Sequence, residues 1–557
     1  MKKILTTLAV LLIVFITTQS VFAEKITILH LNDTHSNLAP GGSRDENLQG
    51  YIGGIARAAT IIKETKAENP NTVVLHAGDA MVGDLFFNAY MGYWDFRLLA
   101  AIGVDVMTLG NHEFDLGPLP LIGVLQQAFL DEGKGFPFVS ANFESNGVDA
   151  FGAYVHPYVP IEVGGIKIGI MGLTTDEANT TSIPQPCYFR GVDDFEEIFG
   201  SIIGAMMADG CQYNILLSHL GIMYDAYIAS SLPGGINLII GGHDHIPLEE
   251  PFIMDNPYGA VIPIVQAYAF THYIGKIELE FDGEELTNFN YTLIPLTNDI
   301  EEDSEVKAVV DDLIQSIQLM YGQEFFTTKI ADVTGYFPEL SPDLLEIGGH
   351  ASIVCNFLTD AFREWYGTDI AFTSSGMTAQ PLYQGPIVAS DIMKMIGYGF
   401  NENNTLGYRM CTFQIKGEDI INAINFGLQY IAYNDEFLGQ VSGMKYKYKV
   451  HYNDDMPIGM VESIEFPDEQ EFDPEKYYTC ASSEYIYYFL TEFLSIELQD
   501  VNLDTEFTEF LVAAQIANNL QVLTPNFDEL DRVECVGIVG VEDRKSTRLN
   551  SSHGKLS

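Results

Sequence analysis

Five short clusters of oxygen and imidazole side chains, each at the end of an apolar run, constrain this chain more than its composition does. Asp33-Thr-His35 follows Lys25–Leu31, and Gly78-Asp79 follows Thr72–His76. Leu109-Gly-Asn111-His112-Glu-Phe-Asp115 closes a run that begins at Val104; Ser218-His219 follows Asn214–Leu217, and Gly242-His243-Asp-His245 follows Asn237–Ile240. Short runs rich in Val, Ile and Leu read as buried strands. Between them, one helical stretch opens at Gly53-Gly54 and runs towards Glu68, and another covers Phe86–Ala101. Further strands are expected at Phe138–Ala141, Ile166–Leu173, Val261–Val265 and Gly275–Phe281. Alternation of this kind predicts a layered α/β domain. The polar clusters then gather beyond the carboxyl ends of strands, where open α/β sheets form their sites.

Taken singly, each cluster is weak evidence, because a Gly-Asp pair is ordinarily a turn. Five in order on one framework are specific. An Asp can bridge two cations with its two oxygens, neutral imidazole suits zinc, manganese, cobalt or iron, and an Asn carbonyl is a weaker oxygen ligand. Asp33, His35, Asp79, Asn111, His219, His243 and His245 therefore form a candidate ligand set for two divalent ions. Such a pair, about 3.5–4 Å apart, can hold an attacking oxygen and phosphate oxygens together. His112 can donate hydrogen bonds to a phosphoryl group, and Asp115, three residues on, can orient the imidazole and keep it protonated. Glu113 and Phe114 read as structural, and Asp244 as an acceptor behind its two neighbouring histidines. His30 and His76 read as packed; His156, His272 and His350 have no ligand-like context.

With 557 residues the chain is too long for one core, and two large domains are expected. Its 27 Lys and Arg against 77 Asp and Glu give a formal charge of −50, which excludes a general nucleic-acid binder. Residues 1–23 read as a secretory signal: Lys2 and Lys3, the apolar Ile4–Ile16, then Val21-Phe22-Ala23 at the cleavage position. The competing reading is an uncleaved anchor, for which the apolar run is short. No later run is long and apolar enough to span a bilayer, so an exported protein, periplasmic or secreted, is expected. The six cysteines show no C-x-x-C spacing; Cys187–Cys211 is one conceivable disulfide, with buried free thiols as the alternative. Residues 544–557 are basic and polar, unlike the rest, and are read as a non-native tail.

Beyond the last cluster, Glu301–Tyr321 has Val306, Val309, Val310, Leu313, Ile314 and Ile317 at helical spacing, and it reads as an amphipathic connecting helix. The organisation expected is a first domain over 24–300, a linker over 301–335, and a second α/β domain over 336–541. In that second domain Ala351–Tyr366 and Ile387–Met395 read as helices. Asp369–Thr373, Met410–Lys416 and Val461–Phe466 read as strands.

The ordered set D-x-H, G-D, G-N-H-E-x-D, S-H and G-H-x-H resembles the calcineurin-like metallophosphoesterases. It is most similar to their exported 5′-nucleotidase branch, which includes UDP-sugar hydrolases and 2′,3′-cyclic phosphodiesterases. The resemblance implies an N-terminal four-layer β-sandwich flanked by helices, a linker helix, and a second α/β domain that binds substrate and rotates about the linker. It implies that Asp33, His35, Asp79 and His245 surround one ion, that Asp79, Asn111, His219 and His243 surround the other, and that Asp79 bridges. It also implies His112 and Asp115 as a catalytic dyad, and attack of a metal-bound hydroxide on a nucleotide or related phosphate ester.

The second half resembles the family's substrate domain through Asn356-Phe-Leu-Thr-Asp360-Ala, Asp369-Ile-Ala-Phe372, Gly385-Pro-Ile and Val441-Ser-Gly443. It departs at Ser374-Ser375-Gly376-Met377-Thr378-Ala379, where Ala379 stands in place of the family's anion-binding Arg. Tyr398, Phe400 and Tyr485, with Gly376, are the substrate-side candidates; core packing is the competing reading for the aromatics. Hydrolysis of 2′,3′-cyclic nucleotides or UDP-sugars on the same fold is the alternative activity. A secreted binding protein with a degraded substrate domain is the alternative class.

Overall fold

The computed structural model describes residues 24–232, 234–338, 350–397, 399–401, 405–431, 436–453, 456–467 and 470–539. Residues 1–23, the 544–557 tail and Tyr398 lie outside the described residues. The chain forms two units. One takes in the first strand through Thr34, Arg57–Ala80 and Phe96–Leu296; the other takes in His35–Ala56, Met81–Asp95 and the residues from Thr297 on.

The first unit is built on two mixed sheets. Its strands, in chain order, are β1 (Glu24–Leu31), β2 (Thr72–His76), β3 (Val106–Thr108), β4 (Phe138–Val139), β5 (Val155–His156), β6 (Tyr158–Val163), β7 (Ile166–Thr174), β8 (Tyr213–His219), β9 (Leu238–Ile240), β10 (Phe252–Asp255), β11 (Val261–Val265), β12 (Tyr273–Asp282) and β13 (Glu285–Pro295). One sheet has the order β13-β12-β1-β2-β3-β4-β5, the other β10-β11-β9-β8-β7-β6. β1 runs parallel to β2 in the register Thr27↔Thr72 and antiparallel to β12 in the register Glu24↔Phe281. β7, β8, β9 and β11 are mutually parallel.

Strand alternation explains the layering. Ile26, Ile28, Val73, Leu75 and Val106 of the first sheet pack with Ile168, Ile170, Ile215, Leu217, Leu238 and Ile240 of the second in one core. On the far side of the second sheet, Met171, Leu173, Leu216, Ile239 and Ile264 pack against two helices, whose Phe195, Phe199, Met206 and Ile228 face them. On the far side of the first sheet Leu29, Val74 and Met107 are also fully buried, so its central strands are covered on both faces. This is why the strands read as continuous apolar runs rather than alternating ones. His219 falls on the same strand face as Tyr213, Ile215 and Leu217 and ends the run with no exposed surface.

Of the helices here, one keeps its expected span, one expected span is divided, and three were not expected. α1 (Ile55–Glu68) opens after Gly53-Gly54. The expected helix over Phe86–Ala101 is two, α2 (Leu85–Tyr90) and α3 (Tyr93–Ile102), because Met91 and Gly92 both take positive φ, at 53° and 88°. α4 (Pro118–Glu132), α5 (Phe195–Ala208) and α6 (Ile222–Ser231) belong to the first unit, whereas α2 belongs to the second.

In the second unit α7 (Ser304–Tyr321) is the expected amphipathic helix, capped by the Asp303 carboxylate on the Val306 N–H at 3.1 Å and burying Val306, Val310, Leu313 and Ile317. Its strands are β14 (Lys329–Val333), β15 (Ile370–Ser374), β16 (Gly385–Val388), β17 (Arg409–Lys416), β18 (Gly439–Ser442), β19 (Lys445–Asn453), β20 (Met456–Glu465), β21 (Tyr477–Ser483), β22 (Gln499–Thr508), β23 (Val522–Leu523) and β24 (Val533–Val539). The largest sheet there has the order β18-β15-β21-β17-β22. Its helices are α8 (Ile353–Tyr366), α9 (Ala389–Ile396), α10 (Gly417–Leu428), α11 (Glu484–Tyr488) and α12 (Glu509–Leu520). Phe413 and Ile415 of β17 share a core with Ile420, Ile424 and Leu428 of α10. The helix expected over Ile387–Met395 begins at Ala389, because Ile387 and Val388 pair with β14. α9 also fixes the loops of its own unit: Arg44 clasps Asp391 with two bonds of 2.7 and 2.6 Å, and Lys394 meets Asp84 at 2.9 Å.

All six cysteines are free thiols. Cys187 is buried with its Sγ 3.4 Å from the Ser145 carbonyl, so the conceivable Cys187–Cys211 bond is not formed. No described helix is long and apolar enough to cross a membrane.

α5 yields a stability prediction. Gly200 and Gly204 lie on its exposed face, and a Cβ at either would meet nothing within 4 Å. Gly200→Ala and Gly204→Ala should each raise stability by about 0.5–1 kcal/mol through lost unfolded-state freedom, read as a higher denaturant midpoint. A lower midpoint in both would mean that this face is not free.

Candidate active site

Two groups of side chains among the described residues could each hold a metal ion: Asp33, His35 and His245, and Asp79, His219 and His243. Within each group the ligand atoms lie within 4.8 Å of one another. All the Asp and His members except His219 sit in loops, not strands, and those loop residues take positive φ: Asp33 49°, His35 45°, Asp79 56°, His243 87° and His245 54°. Left-handed backbone costs a residue with a Cβ roughly 1–2 kcal/mol, so the surroundings must impose it.

Several groups do so. The Glu113 carboxylate, fully buried, accepts the N–H of Gly110 at 2.7 Å, of Ala80 at 2.8 Å and of Asp79 at 3.1 Å. Burial and the nearby Asp79 charge push its pKa up to about 7, against these N–H donors. Phe114 beside it is fully buried among Phe143, Phe151 and Phe189, with ring centroids 5.3–5.9 Å away. On the other side, Gln266 holds the histidine loop, donating to the Gly242 carbonyl at 3.1 Å and accepting the Ile246 N–H at 2.5 Å. Two motif glycines are required by close approach. A Cβ on Gly110 would stand 2.1 Å from Asp79 Oδ1, and one on Gly242 2.5 Å from the Ala77 carbonyl oxygen.

The donor chemistry fits cations. His219 Nδ1 lies 2.7 Å from the Ala77 carbonyl and must donate there. Its Nε2 then faces Asp79 Oδ2 at 3.0 Å, Asn111 Oδ1 at 3.2 Å and Asp33 Oδ1 at 3.9 Å, all acceptors. A neutral imidazole lone pair among three oxygens is repelled unless a positive charge lies between them. The protein's own charges answer in the same sense. Burial disfavours the His219 cation, yet Asp79 and Asp33 outweigh it and raise its pKa. Burial likewise disfavours the Asp33 anion, yet His219 and His245 hold its pKa down at about 2. His35 is oriented the same way, with Nδ1 3.1 Å from the carbonyls of Met81 and Val82. Asp33 accepts the His243 N–H at 3.0 and 3.1 Å, and His245 Nε2 is 3.5 Å from its Oδ1.

His112 stands beside this set. Its N–H donates to Asp79 Oδ1 at 2.9 Å, and its Nδ1 meets Asp115 Oδ2 at 2.8 Å; the His112 side chain is 29% exposed and that of Asp115 only 4%. Ser182, a residue that sequence spacing does not single out, places its hydroxyl 2.8 Å from Asp115 Oδ1 and 2.9 Å from the Asn111 carbonyl. Glu177 is a second such residue, with Oε2 3.1 Å from His243 Nε2. Asp225 is a third, accepting the hydroxyl of the motif residue Ser218. Burial pushes the Asp225 carboxyl up to about 8.

Three further histidines are packed. His30 stacks on Tyr291 at 6.0 Å and burial lowers its pKa to about 3; His76 meets the Thr34 hydroxyl at 3.1 Å and is lowered to about 4 by burial. His272 lies buried against Tyr268 and Phe270. Asp244 accepts the Ile222 N–H at 2.6 Å and so tethers the start of α6.

The described substrate-side candidates, Gly376, Phe400 and Tyr485, belong to the second unit. Tyr485 is 45% exposed and tilted against Tyr408, centroids 5.4 Å apart, a partner that the sequence does not mark. Phe400 meets Phe87 edge-on at 6.0 Å. Gly376 is exposed in a turn, its N–H on the Glu436 carbonyl at 2.8 Å. Ala379 donates its N–H to the Met395 carbonyl at 2.8 Å.

A sandwich of mixed sheets with acidic and imidazole ligands on its strand-end loops defines a metallophosphoesterase. The sequence matches the calcineurin-like phosphoesterase family over residues 26–247 and the 5′-nucleotidase C-terminal domain over 341–493. Snake venom 5′-nucleotidase of Naja atra is 30% identical over 450 residues, covering 76% of this chain and 82% of that one. The trifunctional nucleotide phosphoesterase protein YfkN of Bacillus subtilis is 26% identical over 458 residues, which are 76% of this chain but 29% of that longer protein. The 5′-nucleotidase precursor of Thermus thermophilus superposes with a TM-score of 0.74 at 26% identity, covering 92% of this chain and 99% of that one. The chain belongs to the 5′-nucleotidase family of metallophosphoesterases.

Gly110→Ala tests the crowding at Asp79. The new methyl should displace the carboxylate and weaken metal binding by about 10- to 100-fold, the scale for disturbing groups that orient ligands. Metal bound per chain, measured against a chelator series, reads it. Unchanged binding would show that Asp79 tolerates the shift.

Proposed function

We propose that the chain is an exported phosphoesterase that hydrolyses nucleotides or related phosphate esters at a pair of divalent ions. The observation that carries this reading is His219 Nε2 directed at three acceptor oxygens with its other nitrogen committed to the Ala77 carbonyl. Asp33, His35, Asp79 and His245 would hold one ion, and Asp79, Asn111, His219 and His243 the other, with Asp79 shared. Imidazole with carboxylate suits zinc, manganese, cobalt or iron. When bound, such a pair supplies Lewis-acid charge and lowers the pKa of water.

The chain's own residues do the rest. Asp115 holds His112 Nδ1, and Nε2 would donate to a phosphoryl oxygen as charge grows there. Ser182 steadies Asp115 from its other oxygen. Asp79 Oδ1 accepts the His112 N–H, which couples the position of the donor to the position of the shared ligand. In the second unit Tyr485, backed by Tyr408, offers a half-exposed aromatic face on which a base can stack, a contact worth about 1–3 kcal/mol.

Ala379 favours a broader ester specificity. A methyl cannot supply the bidentate anion grip of an Arg. Cyclic nucleotides or nucleoside-diphosphate sugars are therefore the second reading of the substrate. A formal charge of −50 and the apolar start of the chain support export and a small-molecule substrate rather than nucleic acid.

Phosphate release by the purified protein from AMP, ADP, a UDP-sugar, 2′,3′-cyclic AMP and an aryl phosphate, with Mn²⁺ or with a chelator, tests this. Turnover should require metal, and His112→Ala should lower kcat by about 10²–10³-fold, the cost of one donor to a charged transition state. Chelator-resistant turnover, or a His112→Ala variant of full activity, would overturn the mechanism. The best substrate decides between the two specificities.

A further inference from the structure

One segment outside the five motifs reaches both halves of the active site. It runs from Asp176 to Ser182 and contains the short helix Ala178–Thr181. At its start Glu177 Oε2 lies 3.1 Å from His243 Nε2. At its end the Ser182 hydroxyl touches Asp115 Oδ1 and the Asn111 carbonyl, and the next N–H, of Ile183, donates to the Phe114 carbonyl at 3.2 Å. The segment is itself well held: the Glu177 carbonyl accepts the N–H of Thr180 and Thr181, and Asn179 exchanges two bonds with Phe189, of 2.8 and 3.0 Å.

We propose that Glu177 is a positioning residue that fixes the tautomer and ring orientation of His243. A carboxylate facing Nε2 at hydrogen-bond distance accepts a proton there, which leaves the Nδ1 lone pair as the ligand. His219 and His35 are held at the opposite nitrogen, Nδ1, which faces backbone carbonyls. Where Ala77, Met81 and Val82 present carbonyls to those two rings, Glu177 presents a carboxylate to His243. A negative partner raises the basicity of the ligating nitrogen more than a carbonyl does. Glu177 and His243 have similar exposure, 21% and 19%, so their bond is shielded from bulk water without being sealed off. Because Glu177 and Ser182 stand on one short turn, that turn registers the ligand His243 against the His112–Asp115 dyad.

This inference rests on the two-ion reading, and its test separates the two. Mn²⁺ and Zn²⁺ binding to the purified protein is measured by competition with a fluorescent chelator, for wild type, Glu177→Ala and Glu177→Gln. The wild type should bind two ions. Glu177→Ala should weaken one of them by about 10- to 100-fold and leave the other in place. Glu177→Gln keeps an acceptor oxygen and should restore most of that loss, which a merely structural defect would not do. Two ions bound by Glu177→Ala at wild-type affinity would overturn the role of Glu177 and leave the two-ion reading standing. A wild type that binds no ion would overturn both. Equal loss in Glu177→Ala and Glu177→Gln, at both ions, would also overturn the positioning role.

Discussion

The Glu113 carboxylate accepts three backbone N–H groups, from Gly110, Asp79 and Ala80, and so joins the loop after β2 to the loop after β3. Charge-assisted bonds of this kind are each worth about 1.5–3 kcal/mol net, and here they act where the backbone is least relaxed. Asp79 is held left-handed at φ 56° with its carboxylate between the His112 N–H and His219 Nε2. If the Glu113 clamp were released, Asp79 could relax to ordinary backbone and its side chain would leave that position. The His112 N–H would lose its acceptor at the same time. The shared carboxylate and the donor that faces the substrate therefore depend on one buried side chain that touches neither.

The two-sheet framework makes such loops sustainable. β1, β2, β3, β8 and β9 each end close together because they are parallel neighbours within their sheets, in registers such as Leu31↔His76 and Leu217↔Ile240. Rigid strands packed on both faces leave the loop residues few other conformations. The strain concentrated in Asp33, His35, Asp79, His243 and His245 is thus carried by the core beneath them. Oxygens and imidazoles kept in this way cannot turn towards water, and they converge on one another instead.

Most of the parallel strands of the first unit were legible because buried parallel strands are uninterrupted apolar runs, as in Thr72–His76 and Val261–Val265, both found with those ends. The ligand-type residues were legible for a different reason: they follow those runs at once, so sequence position and strand end coincide. What was not legible lies where a partner is distant in sequence. Ser182 meets Asp115 across 67 positions, and Glu177 meets His243 across 66. Both sit in an ordinary polar stretch with no spacing to mark it. Likewise Tyr408 beside Tyr485 comes from the pairing of β17 with β21, which no local pattern announces. The break at Met91-Gly92 was missed because helical periodicity continues across it, although Gly92 was a signal that could have been used.

The amino-acid sequence alone determined the class of fold, the set of metal-ligand residue types and their order along the chain, because each of these is a local property of apolar runs and the residues that end them. It also determined that the side chain at position 379 is a methyl. The tertiary structure decided which nitrogen of His35, His219 and His243 faces a carbonyl or carboxylate, since the fold brings those acceptors from other parts of the chain. It decided that Glu113 is a clamp rather than a ligand, because its oxygens are spent on three N–H groups from two loops. A residue type says what chemistry is possible; only the partners folded around it say which of its atoms remain to perform it.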